Sequence, residues 1–229
     1  RGVATIFMWG QPVEILRIRR LAHPTQGEPL IISAIPFLNN PSKGIVKPSW
    51  KEVERALPVL KRIGVNAIFI WGPYEHRFPE KGETIPVVTR HGVRRLELGA
   101  CVHILDYLTP DPGRGTMDDF KTMVRRAHSL GIRVIAQLQV TLTAPGDFIY
   151  EHHPEWVVQS IYGAPAVKWP WETSKPGYLV NKSHPGLIKF VVDTVLPVWI
   201  KQWGLDGVYL DLSLIHISEP TRPRLISYA

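Results

Sequence analysis

Cysteine is almost missing from this chain: Cys101 is the single one in 229 residues. One thiol excludes an internal disulfide and any cysteine-built metal cluster. With no activating partner close in sequence, it reads as a buried thiol rather than a nucleophile. Long apolar runs are missing too. None approaches the ~20 residues that a bilayer-spanning helix needs, so no membrane partner is expected. No Gly-x-Gly-x-x-Gly follows an apolar run, which weakens a nucleotide-binding sheet, and no His-Glu-x-x-His offers a zinc helix. The first residue is Arg1 rather than Met, so the missing leader leaves localisation open. Positive charge is present but not gathered. The formal net charge is +7, spread over pairs such as Arg19-Arg20, Arg94-Arg95 and Arg125-Arg126. Scattered pairs of this kind read as solvated faces, and no nucleic-acid partner is expected.

What is present is globular: 45% of the residues are hydrophobic. Ile15 to Leu21 alternates like the last strand of an upstream segment, and the linker-like His23 to Glu28 places a boundary near Gly27. Residues 1–27 are therefore separated from a domain at 28–211.

Within that domain one plan recurs. Leu30 to Phe37 is a short apolar run that predicts a strand. Ser49, with Glu52 three residues on, spells a capping box. Trp50, Val53, Leu57, Leu60 and Ile63 then form the buried stripe of a helix that Gly64 ends, with Pro58 expected to kink or shorten it. Asn66 to Trp71 is the second strand. The stretch from His103 reads as a loop leading to Thr116, which caps a helix with Phe120, Met123, Val124, Ala127 and Leu130 on one face. Gly131 closes it before a third strand, Ile132 to Leu138. In the third unit Ser183 precedes a first turn containing Pro185, Pro197 is expected to kink the helix, Gly204 ends it, and Gly207 to Asp211 is the fourth strand. Apolar strands alternating with helices predict an α/β fold with a parallel sheet. A doubly wound sheet and a (β/α)8 barrel both fit, and the long second and third connections favour the barrel.

Three runs carry a more specific signal: Trp50 to Ile70; His103 to Leu138, with Asp106-Tyr107, Asp111-Pro-x-x-Gly115-Thr116 and Phe120; and Gly204-Leu-Asp-Gly-Val-Tyr-Leu-Asp211. Their wording and order resemble the alpha-amylase family of retaining glycoside hydrolases. The resemblance implies the N-terminal half of a TIM-like (β/α)8 barrel, acting on an α-linked glucan or oligosaccharide, with carbohydrate as its partner and no cofactor. It makes Asp211 the nucleophile at the end of the fourth strand. The partner acid of the retaining mechanism would lie on a later strand.

The chain departs from the family pattern at five positions. The third strand of the family reads Asp-x-x-x-Asn-His, where this chain has Gln137, Thr141 and Leu142. An Arg is expected where Tyr209 stands, and a Tyr where Val102 stands. Losing the Arg removes a positive charge that favours an ionised nucleophile. Losing the His removes a hydrogen-bond donor to sugar. These departures keep two alternatives open: a barrel that binds carbohydrate without hydrolysing it, and an α-galactosidase-type retaining glycosidase, which the run from His153 to Phe190 would suit.

Aromatic side chains supply flat faces for sugar rings at low entropic cost. On that ground Trp71, Tyr74, Trp169, Trp171 and Tyr209 are candidate substrate-binding residues. Trp156 and Tyr178 also fall beside connections rather than on helix stripes. His152-His153, with Glu151 and Glu155, lacks a metal-binding spacing, and no metal is expected. The last eighteen residues stand apart. Leu212 to Arg222 back-translates to the end of a transposon-based sequencing adapter, so 212–229 is expected to be an artefact tail. The 229 residues alone are expected to be inactive, because half a barrel leaves sheet edges open.

Overall fold

The computed structural model describes residues 31–35, 47–98, 103–167 and 177–211, with Asp211 represented by its backbone. The proposed segment 1–27, the tail 212–229, Cys101, Val102, Trp169 and Trp171 lie outside the described residues.

The first unit begins with β1 (Ile32–Ile35) and continues with α1 (Trp50–Arg62) and β2 (Ala67–Ile70). The capping box forms as expected: Ser49 Oγ accepts from Glu52 N at 3.3 Å, and the Glu52 carboxylate accepts from Ser49 N at 2.7 Å. Helix α1 continues past Pro58 to Arg62 rather than stopping at it. The second unit follows the same design. Thr116 caps α2 (Met117–Ser129), and Asp119 returns the bond to Thr116 N at 3.1 Å. Strand β7 (Arg133–Gln139) follows.

Each helix gives way to its strand through a glycine in the left-handed region. Gly64, Gly131 and Gly204 have φ of 94°, 64° and 79°. A side chain there would hold strained backbone, which is why glycine marks the unit ends so regularly.

The connection between β2 and α2 departs from expectation. His103 to Pro110, which reads as a loop, is the eight-residue strand β6. It pairs antiparallel with β3 (Tyr74–Arg77), with register shifts beside Glu75. Between them lies a hairpin of β4 (Thr84–Thr89) and β5 (Gly92–Glu97). The partner of β6 is distant in sequence and the ladder is bulged, so period-2 alternation is blurred.

The third unit is less regular than its sequence implies. The short strands β8 (Leu142–Thr143) and β9 (Tyr178–Leu179) pair antiparallel around α3 (Phe148–His152). Helix α4 (Pro185–Phe190) is capped by His184: the His184 ring nitrogen Nδ1 accepts from Gly186 N at 3.1 Å. Beyond it, Val191–Val195 and Val198–Gln202 widen into π-helical turns on either side of Pro197. Proline offers no N–H to the α-helical ladder, and the wider hydrogen-bond spacing accommodates that loss. Strand β10 (Gly207–Asp211) ends the described chain.

The four parallel strands lie in the order β1-β2-β7-β10, each beside its predecessor in the chain. A doubly wound sheet reverses its strand order at a switch point, whereas a barrel adds strands in sequence. The monotonic order agrees with the barrel. The strands also separate their faces cleanly. Ile68, Ile70, Val134, Ala136 and Leu138 enter the main core with the helix stripes, including Trp50, Phe120 and Met123. Ile32, Ala67 and Phe69 form a second cluster on the opposite face, with Ala34, Trp71 and Ile135 against it.

Candidate active site

In a barrel, chemistry gathers at the C-terminal ends of the strands, and here those ends are Ile35, Ile70, Gln139 and Asp211. Register fixes what stands beside what. Asp211 is the Cα partner of Gln139, and Tyr209 is the partner of Gln137. One layer down, Phe69 is the partner of Ile135. Parallel partners share a face, so Tyr209, Gln137 and Trp71 belong to the sheet face that carries the Phe69 cluster.

The side chains of that face touch. Phe69 meets Trp71 edge-on at 6.0 Å between ring centroids, and Tyr209 edge-on at 5.4 Å. Trp71 is half-buried, and Tyr209 is 50% exposed. Gln137 is buried, and its Oε1 accepts from the backbone N–H of Gly72 at 3.3 Å, just beyond the end of β2. Two of the expected sugar-binding aromatics, Trp71 and Tyr209, therefore lie on one face with an amide between them. An aromatic wall with a hydrogen-bonding amide suits the C–H faces and hydroxyls of a pyranose.

Tyr74 corrects the sequence reading. It is wholly buried, stacked on Trp199 at 5.9 Å and beside Tyr107 at 5.8 Å. The ring packs the second connection onto the helix after β9, and no face remains for a substrate. Trp156 and Tyr178 are likewise buried. The His153 ring stacks flat on Trp156 at 3.7 Å, and Tyr178 Oη donates to the Pro86 carbonyl at 2.9 Å. Loop aromatics here mostly hold the connections down.

The departing positions of the third strand have ordinary structural surroundings. Thr141 is buried, and its carbonyl accepts from Val180 N at 3.1 Å. Leu142 sits in the β8–β9 ladder opposite Leu179.

Two polar constellations around the strand ends escaped the sequence reading. Tyr107 Oη donates to the carbonyl of Gln139 at 3.0 Å, fixing β6 to the end of β7. Its phenol is raised well above the ordinary range, chiefly by burial. Elsewhere, His103 Nδ1 lies 2.8 and 3.0 Å from the two oxygens of Asp147, both residues buried. Asp147 also accepts from Ala144 N at 2.8 Å, and burial raises its carboxyl against the pull of His103. Beside this pair, Arg77 binds Glu83 through two bonds of 2.8 Å and reaches the Pro145 carbonyl at 3.2 Å. Together they clasp the second and third connections. The i, i+2 pair Gln137 and Gln139 in an apolar strand was the available signal for a polar strand end.

The family-pattern acids other than Asp211 are structural. Asp106 accepts from Leu108 N at 2.8 Å and from Thr109 Oγ1 at 2.6 Å. Asp206 accepts from Val134 N at 2.7 Å and bonds His128 Nε2 at 2.8 Å, joining the starts of β7 and β10.

No family model matches the chain. Over 133 residues it is 37% identical to alpha-amylase 3 of Dictyoglomus thermophilum, covering 47% of this chain and 25% of that protein. Over 108 residues it is 34% identical to a chloroplastic isoamylase 1 of Oryza sativa, covering 45% of this chain and 13% of that protein. The chain thus spans a quarter or less of these curated relatives. Its fold resembles that of an alpha-amylase from Lactobacillus plantarum with a TM-score of 0.59 at 22% identity, covering 80% of this chain and 38% of the other. A maltogenic alpha-amylase from Thermotoga neapolitana gives 0.56 at 22% identity, over 81% and 39%. The sequence relatives are thus an alpha-amylase and isoamylases, and the partial barrel shares the fold of alpha-amylases.

Proposed function

We propose that residues 28–211 supply the first four strands of the catalytic barrel of a retaining glycoside hydrolase acting on α-linked glucan or oligosaccharide. Asp211 is its nucleophile, and Trp71 and Tyr209 line its sugar site. The observation that carries this reading is the position of Asp211: the last residue of the fourth parallel strand, in register with Gln139, above a face bearing Trp71, Gln137 and Tyr209. A carboxylate there meets the need for an attacking group at the strand ends, with the general acid about 5 Å away across the sugar. Trp169 and Trp171 stay candidate sugar-binding residues on their sequence alone. The relatives, an alpha-amylase and isoamylases, favour this reading over an α-galactosidase-type barrel.

A second reading, a barrel that binds glucan without cleaving it, is favoured by Gln137 and Tyr209, which leave the site without the charges of the family pattern. One experiment separates the two. The parent gene is read from its source DNA across the Asp211–Leu212 junction, and the encoded protein is assayed on maltooligosaccharides and branched glucan. Turnover that falls by about a thousandfold or more in Asp211→Asn carries the hydrolase reading, a loss in keeping with removal of a covalent nucleophile. Glucan binding with no turnover in either protein carries the second.

A further inference from the structure

A buried positive charge stands where the second connection meets the head of α1. Arg114 ends the short 3-10 turn Pro112–Arg114 and is 1% exposed. Its Nε donates to the Pro48 carbonyl at 2.9 Å, while Nη1 and Nη2 have no hydrogen-bond partner among the described residues. The carboxylate that acts on it, Asp111, forms its ion pair with Lys47 and accepts from Gly113 N at 2.9 Å. Asp119, near Gly115, is likewise engaged, by Lys51 at 3.3 Å and by Thr116 N at 3.1 Å. A guanidinium buried with no counter-charge in contact is costly.

A second unused donor adjoins it. Trp50 is fully buried, its ring centroid lies 4.0 Å from the guanidinium carbon, and its Nε1 has no hydrogen-bond partner among the described residues. Gly115 flanks the same edge of the ring: a Cβ there would lie 3.3 Å from Trp50 Cδ1, the atom bonded to Nε1. Arginine and tryptophan side chains only donate. A positively charged set of donors calls for a ligand that accepts and brings negative charge. Water accepts, but it also brings donors of its own and no charge. The burial of both side chains restricts the ligand to one or a few atoms.

We propose that Arg114 and Trp50 form a small-anion site that binds chloride between the guanidinium and the indole N–H. Charge-assisted donors hold the ion, and its charge offsets the cost of burying the guanidinium. Burial lowers the Arg114 pKa to about 10, which leaves the group charged at neutral pH. The site does not depend on the role given to Asp211.

Thermal unfolding of the 229-residue chain tests the site, with sodium chloride exchanged for sodium gluconate at fixed ionic strength. Gluconate is too large to enter. Raising chloride from zero to about 0.2 M should raise Tm by about 3 °C or more, for a Kd near a tenth of that concentration. The slope should vanish in Arg114→Met and persist in Arg126→Met, which removes an equal charge from an exposed position. Only the slope is read, so a Tm offset between variants without chloride does not enter. No slope in the unaltered chain, or a slope that Arg114→Met retains, overturns the proposal. Crystals grown in bromide locate the ion. An anomalous peak within hydrogen-bond reach of an Arg114 terminal nitrogen and Trp50 Nε1 supports the site. Ordered water alone at that position, or nothing, overturns it. This second readout needs no variant, so it decides the question if Arg114→Met does not fold.

Discussion

The phenol of Tyr107 donates to the main-chain carbonyl of Gln139 at 3.0 Å, at the end of the strand whose last residue is in register with Asp211. Tyr107 is buried, and its own carbonyl accepts from Trp199 Nε1 at 2.7 Å. The residue thus links three chain segments: β6, the end of β7 and the helix after β9. Tyr107→Phe keeps the ring and removes one donor, leaving a buried carbonyl short of a partner. The expected loss is about 1–2 kcal/mol. Thermal unfolding should show a Tm lower by several degrees, and an unchanged Tm would assign the Gln139 carbonyl another donor.

Much of this architecture was legible because local chemistry states it. Ser49 with Glu52, Thr116 at the head of α2, and Gly64, Gly131 and Gly204 at the unit ends all act within a few residues of themselves. The helix stripes are equally local. What was not legible depends on partners far along the chain. Tyr74 reads as a loop aromatic until Trp199 and Tyr107 close over it. His103 to Pro110 reads as a loop because its ladder partner precedes a whole hairpin. His103 and Asp147 are an unremarkable histidine and aspartate until folding buries them against each other. At the site, Asp211 and Tyr209 could be named from the strand motif, but the pairing of Tyr209 with Gln137 belongs to register, and register is a property of the assembled sheet.

Gly204 combines two constraints. Its φ is 79°, and a Cβ built there would lie 3.3 Å from Val124 Cγ1 on α2. Gly204→Ala is expected to cost about 1–2 kcal/mol from the left-handed backbone alone, with crowding against α2 added. Gly82 provides the contrast, since it shares the positive φ but has open space around its Cβ direction. Denaturant midpoints should therefore fall more for Gly204→Ala than for Gly82→Ala.

The Arg77–Glu83 fork sets an acid-side dependence. Arg77 holds the Glu83 carboxyl down to about 2, chiefly through its side-chain hydrogen bonds. A carboxyl with a depressed folded pKa contributes stability above its unfolded pKa of about 4.3 and loses it as pH falls through the folded value. The window is therefore pH 4.3 to 2. The pair is partly solvated, so screening limits the contribution to under about 1 kcal/mol. Glu83→Gln should flatten the stability curve in that window and leave its shape unchanged above pH 5, measured by urea unfolding at stepped pH.

Arg114 invites an unusual expectation. Its guanidinium lies 4.0 Å above the Trp50 ring, Nε donates to the Pro48 carbonyl at 2.9 Å, and both terminal nitrogens are buried with no hydrogen-bond partner among the described residues. Burial lowers its pKa to about 10, with Asp111 opposing the shift. Replacing a poorly satisfied buried charge by an apolar chain of similar reach is often neutral or stabilising by about 1–4 kcal/mol. Arg114→Met should therefore keep or raise Tm, whereas Arg114→Ala, which also opens a cavity over Trp50, should lower it. A large loss in the Met variant would show that the cation–π contact outweighs the desolvation of the guanidinium.

Asp206 shows how the strand bearing Asp211 is held in register. One carboxylate oxygen accepts from Val134 N at 2.7 Å and bonds His128 Nε2 at 2.8 Å, while Asp206 N donates back to the Val134 carbonyl at 2.8 Å. This reciprocal clasp sits at the start of β10, the end opposite Asp211. A shift of one residue there would turn every β10 side chain to the other face. Asp206→Ala removes the acceptor for both donors and should cost about 2–3 kcal/mol, since charge-assisted bonds exceed neutral ones. Asp206→Asn keeps the shape and one acceptor oxygen, and should lose much less. The clasp predicts more than a stability change. In the Ala variant, backbone amides of β10 should exchange with solvent faster than those of β2, whose pairing with β1 and β7 does not involve Asp206. Uniform acceleration across the whole sheet would instead mean that Asp206 contributes to global stability without controlling the register of the strand that carries Asp211.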